Sequence, residues 1–284
     1  MAGIPAWRRR RDPGAVVFCL HDVIGPGESP AGDPALHVPV ADFAAYVEWL
    51  SSTGPVVSLR ELIDRQAQGK SIARLRALTF DDAYEGVFDH ALPILRRHGL
   101  PATVFVVSDA STGGSPFWWD ELGPIPDQQR YRCLQELKGS GTAIHERFAP
   151  DRRPLPDTCR AARWNRIAAA LDGSVDLGVH TVTHRNLAAL DPDDIRTELV
   201  DCRAAIIEHT GVHPDLVSYP YGLHSPAVRS AVRDLGFTGA ASMRFGLFRP
   251  GADRFAIPRV NIPTGLPVRT LDCWSVDLRF RPPS

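Results

Sequence analysis

Two short segments of this chain carry the residues best equipped for chemistry, Leu78-Thr79-Phe80-Asp81-Asp82 and His180-Thr181-Val182-Thr183-His184. Each directly follows a run that reads as a buried strand. Carboxylate and imidazole groups are ligands for a divalent metal, and Asp82, His180 and His184 make a facial set with a position left open for water. With Asp81 as a spare carboxylate beside it, such a set implies metal-assisted hydrolysis. Each motif alone is weak. An HxxxH spacing in a chain with 10 histidines is commonly coincidence, and an Asp-Asp pair is commonly a turn or a helix cap. Together they say more, because two carboxylates in the mouth of a buried strand carry a cost that a metal or a cationic partner removes.

Other polar residues fall at equivalent places. His21 and Asp22 follow the apolar run Val16 to Leu20, Tyr221 follows Leu216 to Ser218, and Arg259 follows Phe255 to Ile257. All stand at the C-terminal ends of expected strands, the face on which barrel enzymes assemble their sites.

The elements that would position these residues alternate strand and helix. Strands are expected at 16–20, 75–79, 103–107, 175–179, 216–218, 238–241 and 255–257. Helical spacing runs through 41–51, and Ser58-Leu59-Arg60-Glu61 is a capping box that opens a second helix. Further helices are expected at 87–97, closed by Gly99, around 160–171, and from Asp191 to about His209, with Gly211 beyond its end. Ser225-Pro226 opens one more, which stops near Gly236. About seven strand–helix units of this kind predict an α/β fold, a distorted (β/α)7-type barrel with its active site at the C-terminal ends of the strands. The stretch 108–156 is rich in Gly and Pro, holds Phe117-Trp118-Trp119, and is too long for a plain connection. It is expected to be an insertion within a single domain spanning 1–284.

Bulk properties narrow the function. The 284 residues are 44% hydrophobic and 23% charged, the composition of an ordinary globular protein. With 32 basic against 33 acidic side chains, no global field favours nucleic acid. The basic run Arg8 to Arg11 is followed by Asp12-Pro13-Gly14 rather than an apolar stretch, so no export signal or membrane span is expected, and a cytoplasmic location is. Cys19, Cys133, Cys159, Cys202 and Cys273 are odd in number, widely spread and contain no CxxC, which argues against a disulfide framework.

Three of these segments carry a family resemblance. Thr79-Phe80-Asp81-Asp82 resembles the first motif of the NodB-type polysaccharide deacetylases (carbohydrate esterase family 4), usually TFDDG. His180-Thr181-Val182-Thr183-His184 is similar to the second, H-[ST]-x-x-H, and Tyr219-Pro220-Tyr221-Gly222 to the third, which ends in PYG. Leu20-His21-Asp22-Val23 and Ile257-Pro258-Arg259 resemble the subgroup whose final motif has moved to the front of the chain.

The resemblance implies that Asp82, His180 and His184 hold one divalent metal, with Zn2+ foremost and Co2+, Ni2+, Mn2+ or Fe2+ also suited to the set. It implies Asp81 as general base, the Tyr221 backbone N–H as oxyanion donor, and a general acid to protonate the leaving amine. No LxH motif stands near the C-terminus to supply that acid, so His21 is the first candidate and His224 the second. Many members carry Arg where this chain has Ser218, and Arg259 is the candidate substitute for orienting the base. Ala83 replaces the usual glycine. Trp118, Trp119 and Trp274 are candidates to stack on sugar faces, and Asp22 either pairs with a cation or lines the site. The expected activity is removal of an N-acetyl group from an amino sugar or glycan intermediate. Another C–N hydrolase acting on a ureide, formamide or imide, and an inactive carbohydrate-binding relative, are the competing readings.

Overall fold

In a computed structural model, residues 14–148 and 155–276 are described. The basic run at 8–11 lies outside them, as do residues 149–154 of the expected insertion. Strands β1 (Val16–Leu20), β4 (Arg76–Phe80), β5 (Ala102–Val106), β6 (Val175–Val179), β7 (Leu216–Ser218), β8 (Gly239–Ala241) and β9 (Val260–Asn261) form one curled parallel sheet in the order β8-β7-β6-β5-β4-β1-β9. Two short strands, β2 (Asp22–Ile24) and β3 (His37–Pro39), pair with each other apart from it. The expected α/β fold is therefore present.

Every residue of β1, β4 and β5 is buried, as parallel strands covered on both faces require. Side chains of period two then sort into two sets. Phe18, Leu20, Leu78, Phe80, Val104, Val106 and Val217 belong to the large core shared with the outer helices. Val17, Ala77, Phe105 and Leu216 belong to a smaller core with Leu59, Leu62 and Ile63 of the helix Leu59–Ala67. Cys19, Thr79 and Asp81 continue that second set toward the strand ends, so polar groups at the mouth stand on an apolar plug. Gly178 in β6 belongs to the same arrangement, because a Cβ there would lie 2.3 Å from the Phe105 ring.

The expected caps form. Ser58 accepts from the Glu61 N–H at 3.1 Å, Asp191 from that of Asp194 at 2.9 Å, and Ser225 from that of Val228 at 3.2 Å. The helix Pro192–Thr210 ends on Gly211 at φ +71°. Most boundaries shift by a residue or two from the sequence reading, and three elements differ further. The segment 255–257 makes only a single bridge, Ala241 with Ile257, and the strand proper is β9, beyond Pro258. Proline has no N–H to donate, and the pairing with β1 begins past it, at Val260. The helix expected from about 160 begins at Trp164. The helix at 87–97 opens with a π turn, Val87–Ala91, before Leu92–Arg97, accommodating Pro93.

The segment after β5 holds helices of its own: Ser108–Gly113, Trp118–Leu122, Asp127–Tyr131 and Gly141–Phe148. Trp118, Cys133 and Ile144 make a small core between them. Among the described residues no helix is long and apolar enough to cross a membrane.

Candidate active site

The turn after β4 and the turn after β6 bring Asp82, His180 and His184 together. Asp82 Oδ1 lies 3.4 Å from His180 Nε2 and 3.3 Å from His184 Nε2, and the two Nε2 atoms are 3.1 Å apart. The backbone is bent to reach this arrangement, with Asp82 at φ +69°, Ala83 at +51°, Thr181 at +71° and His184 at +58°. Position 83 thus needs the left-handed conformation that glycine adopts freely, and here alanine adopts it. Behind the histidine turn, the buried Glu198 carboxylate accepts the N–H groups of Val182 and Thr183, each at 2.9 Å, and the Thr183 hydroxyl. Glu198 comes from the helix Pro192–Thr210, which therefore fixes the loop from below.

These three side chains fit a cation. His180 Nδ1 is 2.8 Å from the Ser218 carbonyl, so it carries the hydrogen and leaves Nε2 as a bare lone pair in the neutral ring. Asp82 Oδ1 is buried without a hydrogen bond. A lone pair and a carboxylate oxygen held this close repel unless a cation or a proton lies between them. Burial works against the imidazolium of His180, but the charges of Asp81 and Asp82 outweigh it and raise the ring above its ordinary value. Burial pushes His184 the other way, down to about 3.

Asp81 adjoins this set, its Oδ2 3.9 Å from His180 Nε2. Arg259 grips it through both terminal nitrogens, Nη1 to Oδ1 at 2.8 Å and Nη2 to Oδ2 at 2.7 Å. The Ser218 hydroxyl donates to Oδ2 at 3.1 Å and receives Arg259 Nη2 at 2.9 Å. Cys19 Sγ lies beneath, 3.7 Å from the same oxygen. Arg259 is 1% exposed, and its Nε donates to the Ser242 carbonyl at 3.1 Å. Burial alone would raise the Asp81 carboxyl. The Arg259 and His180 charges overcome that and hold it well below the usual carboxylate range, so Asp81 is ionised at neutral pH.

Both groups stand on the floor of a cavity of about 350 Å³ that also takes in His21, Tyr221, Trp118 and Trp119. His21 shares the end of β1 with Cys19, and the two side chains approach Asp81. Burial lowers the His21 imidazole despite the neighbouring carboxylates. Tyr221 sits in left-handed backbone at φ +58° with its ring 4.6 Å from that of His184, and its hydroxyl accepts from Trp118 Nε1 at 3.1 Å. Trp119 lies 4.7 Å from the His184 ring. Three sequence candidates fall elsewhere. Trp274 packs edge-on against Phe245 and does not line the cavity. His224 lies against Tyr219 at 4.9 Å, also outside the cavity. Asp22 turns from it to meet His37, 2.9 Å from Nδ1.

The polysaccharide deacetylase profile matches residues 68–240, more than half of the chain and the run from β4 into β8. The chain belongs to the polysaccharide deacetylase family. A relative in Bacillus subtilis named for the same family, YxkH, is 21% identical over 92% of this chain and 76% of its own length. A Staphylococcus epidermidis relative named poly-beta-1,6-N-acetyl-D-glucosamine N-deacetylase is 29% identical over 78% of this chain, which spans 66% of that relative's length. Among solved structures, the Streptococcus pyogenes deacetylase PplD in complex with acetate superposes with a TM-score of 0.67 at 15% identity, over 92% of this chain and 98% of its own, a likeness of fold.

For a polysaccharide deacetylase, some of these site contacts lie outside the motifs. Glu198 is one; nothing in its helix marks it, since a Glu within a polar helix reads as surface. His37, Tyr84 and Asp120 are others. They are buried at 0%, 0% and 3% exposure, and only their approach in space makes them a group. Ser218 was visible solely as a position where an Arg is usual.

Proposed function

We propose that the protein is a metal-dependent hydrolase that removes the N-acetyl group from an amino sugar within a glycan or glycan intermediate. The observation that carries this reading is the pairing of an ionised, Arg-held Asp81 with the convergent Asp82, His180 and His184 on the floor of one aromatic-walled cavity. In this reading Asp82, His180 and His184 would hold one divalent ion, with Zn2+ the first expectation. When bound, such an ion supplies Lewis acidity to the amide carbonyl and to the attacking water.

The chain's own groups do the rest. Asp81 takes the proton of the attacking water, and Arg259 with Ser218 keeps that carboxylate ionised and oriented. The Tyr221 backbone N–H stabilises the oxyanion of the tetrahedral intermediate. His21 delivers a proton to the leaving amine, since an amide anion is too poor a leaving group to depart alone. That role for a residue at the end of β1 would place the chain in the subgroup with its acid motif at the N-terminus. Trp118 and Trp119 offer ring faces to the sugar. We read residues 1–284 as one deacetylase domain with an insertion at 108–156 that builds the cavity wall.

The names of the Staphylococcus relatives support an N-acetylglucosamine glycan as substrate. A ureide, formamide or imide hydrolase is the second reading, and the full Asp, His, His set weighs against it. The test measures metal content as purified, for the wild type and Asp82→Ala, alongside acetate release from a panel of N-acetylamino sugars. One equivalent of metal, lost in the variant, with chelator-sensitive acetate release supports the proposal. Metal without acetate from any sugar refutes the activity, and no metal under replete conditions refutes the site.

A further inference from the structure

A continuous buried chain of polar contacts runs from the first strand end to the aromatic wall of the cavity. Asp22 Oδ1 accepts the Val23 N–H at 2.8 Å, and Oδ2 meets His37 Nδ1 at 2.9 Å. His37 Nε2 meets Asp120 Oδ1 at 3.2 Å. The Tyr84 hydroxyl donates to Asp120 Oδ2 at 2.6 Å and accepts from Trp119 Nε1 at 2.8 Å. The chain ends there, on a half-buried ring that stacks on Phe117 at 4.7 Å and lies tilted, 4.7 Å from the His184 ring.

The residues come from separate places: β2, β3, the turn just after Asp82, and the helix Trp118–Leu122. An imidazole between two carboxylates is a cation clamped on both sides. Burial opposes its charge, yet Asp120 and Asp22 prevail and push His37 up to about 12. Cys159 adds a weak contact to Nδ1 at 3.7 Å. A charged cluster of this kind is directional, because each of its oxygens and nitrogens faces a set partner. An apolar packing of the same volume would hold the helix without specifying the ring plane of Trp119.

We propose that Asp22, His37, Asp120 and Tyr84 are positioning residues that fix Trp119 as a rigid sugar-facing platform beside the Asp82, His180, His184 set. This rests on the deacetylase reading above and adds to it the source of the platform's orientation. Tyr84 is the hinge of the relay, since its hydroxyl donates to Asp120 and accepts the indole N–H. Its place two residues after Asp82 also ties the platform to the turn that carries that carboxylate. The relay acts on substrate binding and not on the bond-breaking step.

Tyr84→Phe is the test, because it keeps the ring and removes the joining hydroxyl; Asp120→Asn repeats the test from the other side. Two readouts separate this proposal from the activity itself. The first is the near-UV circular dichroism contributed by Trp119, taken as wild type minus Trp119→Phe, which reports a ring in a fixed asymmetric setting. Tyr84→Phe is expected to abolish most of that difference band. The second is affinity for an N-acetylglucosamine oligomer, measured on metal-free protein by calorimetry and as KM on the metal-loaded enzyme. Both are expected to weaken about tenfold in Tyr84→Phe with kcat held within about twofold, and Tyr84→Phe should add nothing further in a Trp119→Phe background.

A dichroism band that persists in both variants overturns the relay. So does a fall in melting temperature with KM unchanged, the mark of a purely structural role. A wild type that releases no acetate overturns the deacetylase reading instead, while the dichroism still decides whether the relay holds the ring.

Discussion

Arg259 and Asp81 lie 178 residues apart in sequence and meet through two parallel hydrogen bonds at 2.8 and 2.7 Å, with the Ser218 hydroxyl bridging the pair. The guanidinium enters from the segment between β8 and β9. The carboxylate is thereby held between a fixed cation and the candidate metal ligands.

Arg259→Leu should therefore do two things at once. Leaving Asp81 buried and unpaired is expected to cost about 3–5 kcal/mol in urea unfolding. With its folded pKa depressed, Asp81 contributes stability above the ordinary carboxylate range, and that contribution is lost as pH falls through the lower folded value. Without Arg259 burial dominates, so the acid limb of the kcat/KM profile should move to higher pH and the neutral rate fall at least about a hundredfold. Arg259→Lys should recover little, since it replaces a fork with a point charge. An unchanged acid limb in Arg259→Leu would remove Arg259 from the site.

Glu198 clamps the histidine turn through two backbone N–H groups and the Thr183 hydroxyl. Glu198→Ala is expected to weaken metal affinity by about ten- to a hundredfold without touching a ligand, read by competition with a chelator. It should also lower stability by about 2 kcal/mol, because the turn loses the acceptor that its N–H groups face. Wild-type metal affinity in the variant would mean the turn holds its shape unaided.

His37 gives a pH signature of its own. Its folded value, about 12, stands above the unfolded one, so its contribution to stability is complete below about 6.5 and is lost as pH rises toward 12. The stability difference between wild type and His37→Gln should shrink with pH over that window, by at most about 1.4 kcal/mol per unit. Unfolding curves at pH 6, 8 and 10 measure it. A difference that grows with pH would mean that His37 is neutral in the fold.

Trp118 and Trp274 separate cavity from core. Trp118→Leu should raise KM for an N-acetylated sugar, since its ring lines the cavity and its N–H holds the Tyr221 hydroxyl. Trp274→Leu should leave KM alone and lower stability by about 1–3 kcal/mol through lost packing on Phe245. The opposite pattern would move the sugar site to the other face.

The residues themselves determined the alternation of apolar strands and amphipathic helices, and with it the parallel sheet and the face on which chemistry gathers. Asp81, Asp82, His180, His184 and Tyr221 were legible for the same reason: each stands after a strand or in the turn that follows it, so its place depends on a period of two and a nearby turn. Local rules reach that far. What pairs across the sheet depends on register and curl, which no local spacing encodes. Arg259 could be read as a plain surface cation until β9 placed it beside β1, next to Asp81. Asp22 had no identified partner until β3 carried His37 to it and the helix Trp118–Leu122 brought Asp120 to the other ring nitrogen. Trp274 and His224 carry suitable side chains but pack on Phe245 and Tyr219, outside the cavity. Residue type and spacing supplied the candidate groups. Their neighbours were decided by the tertiary structure, since burial and pairing of charge are properties of distances between strands.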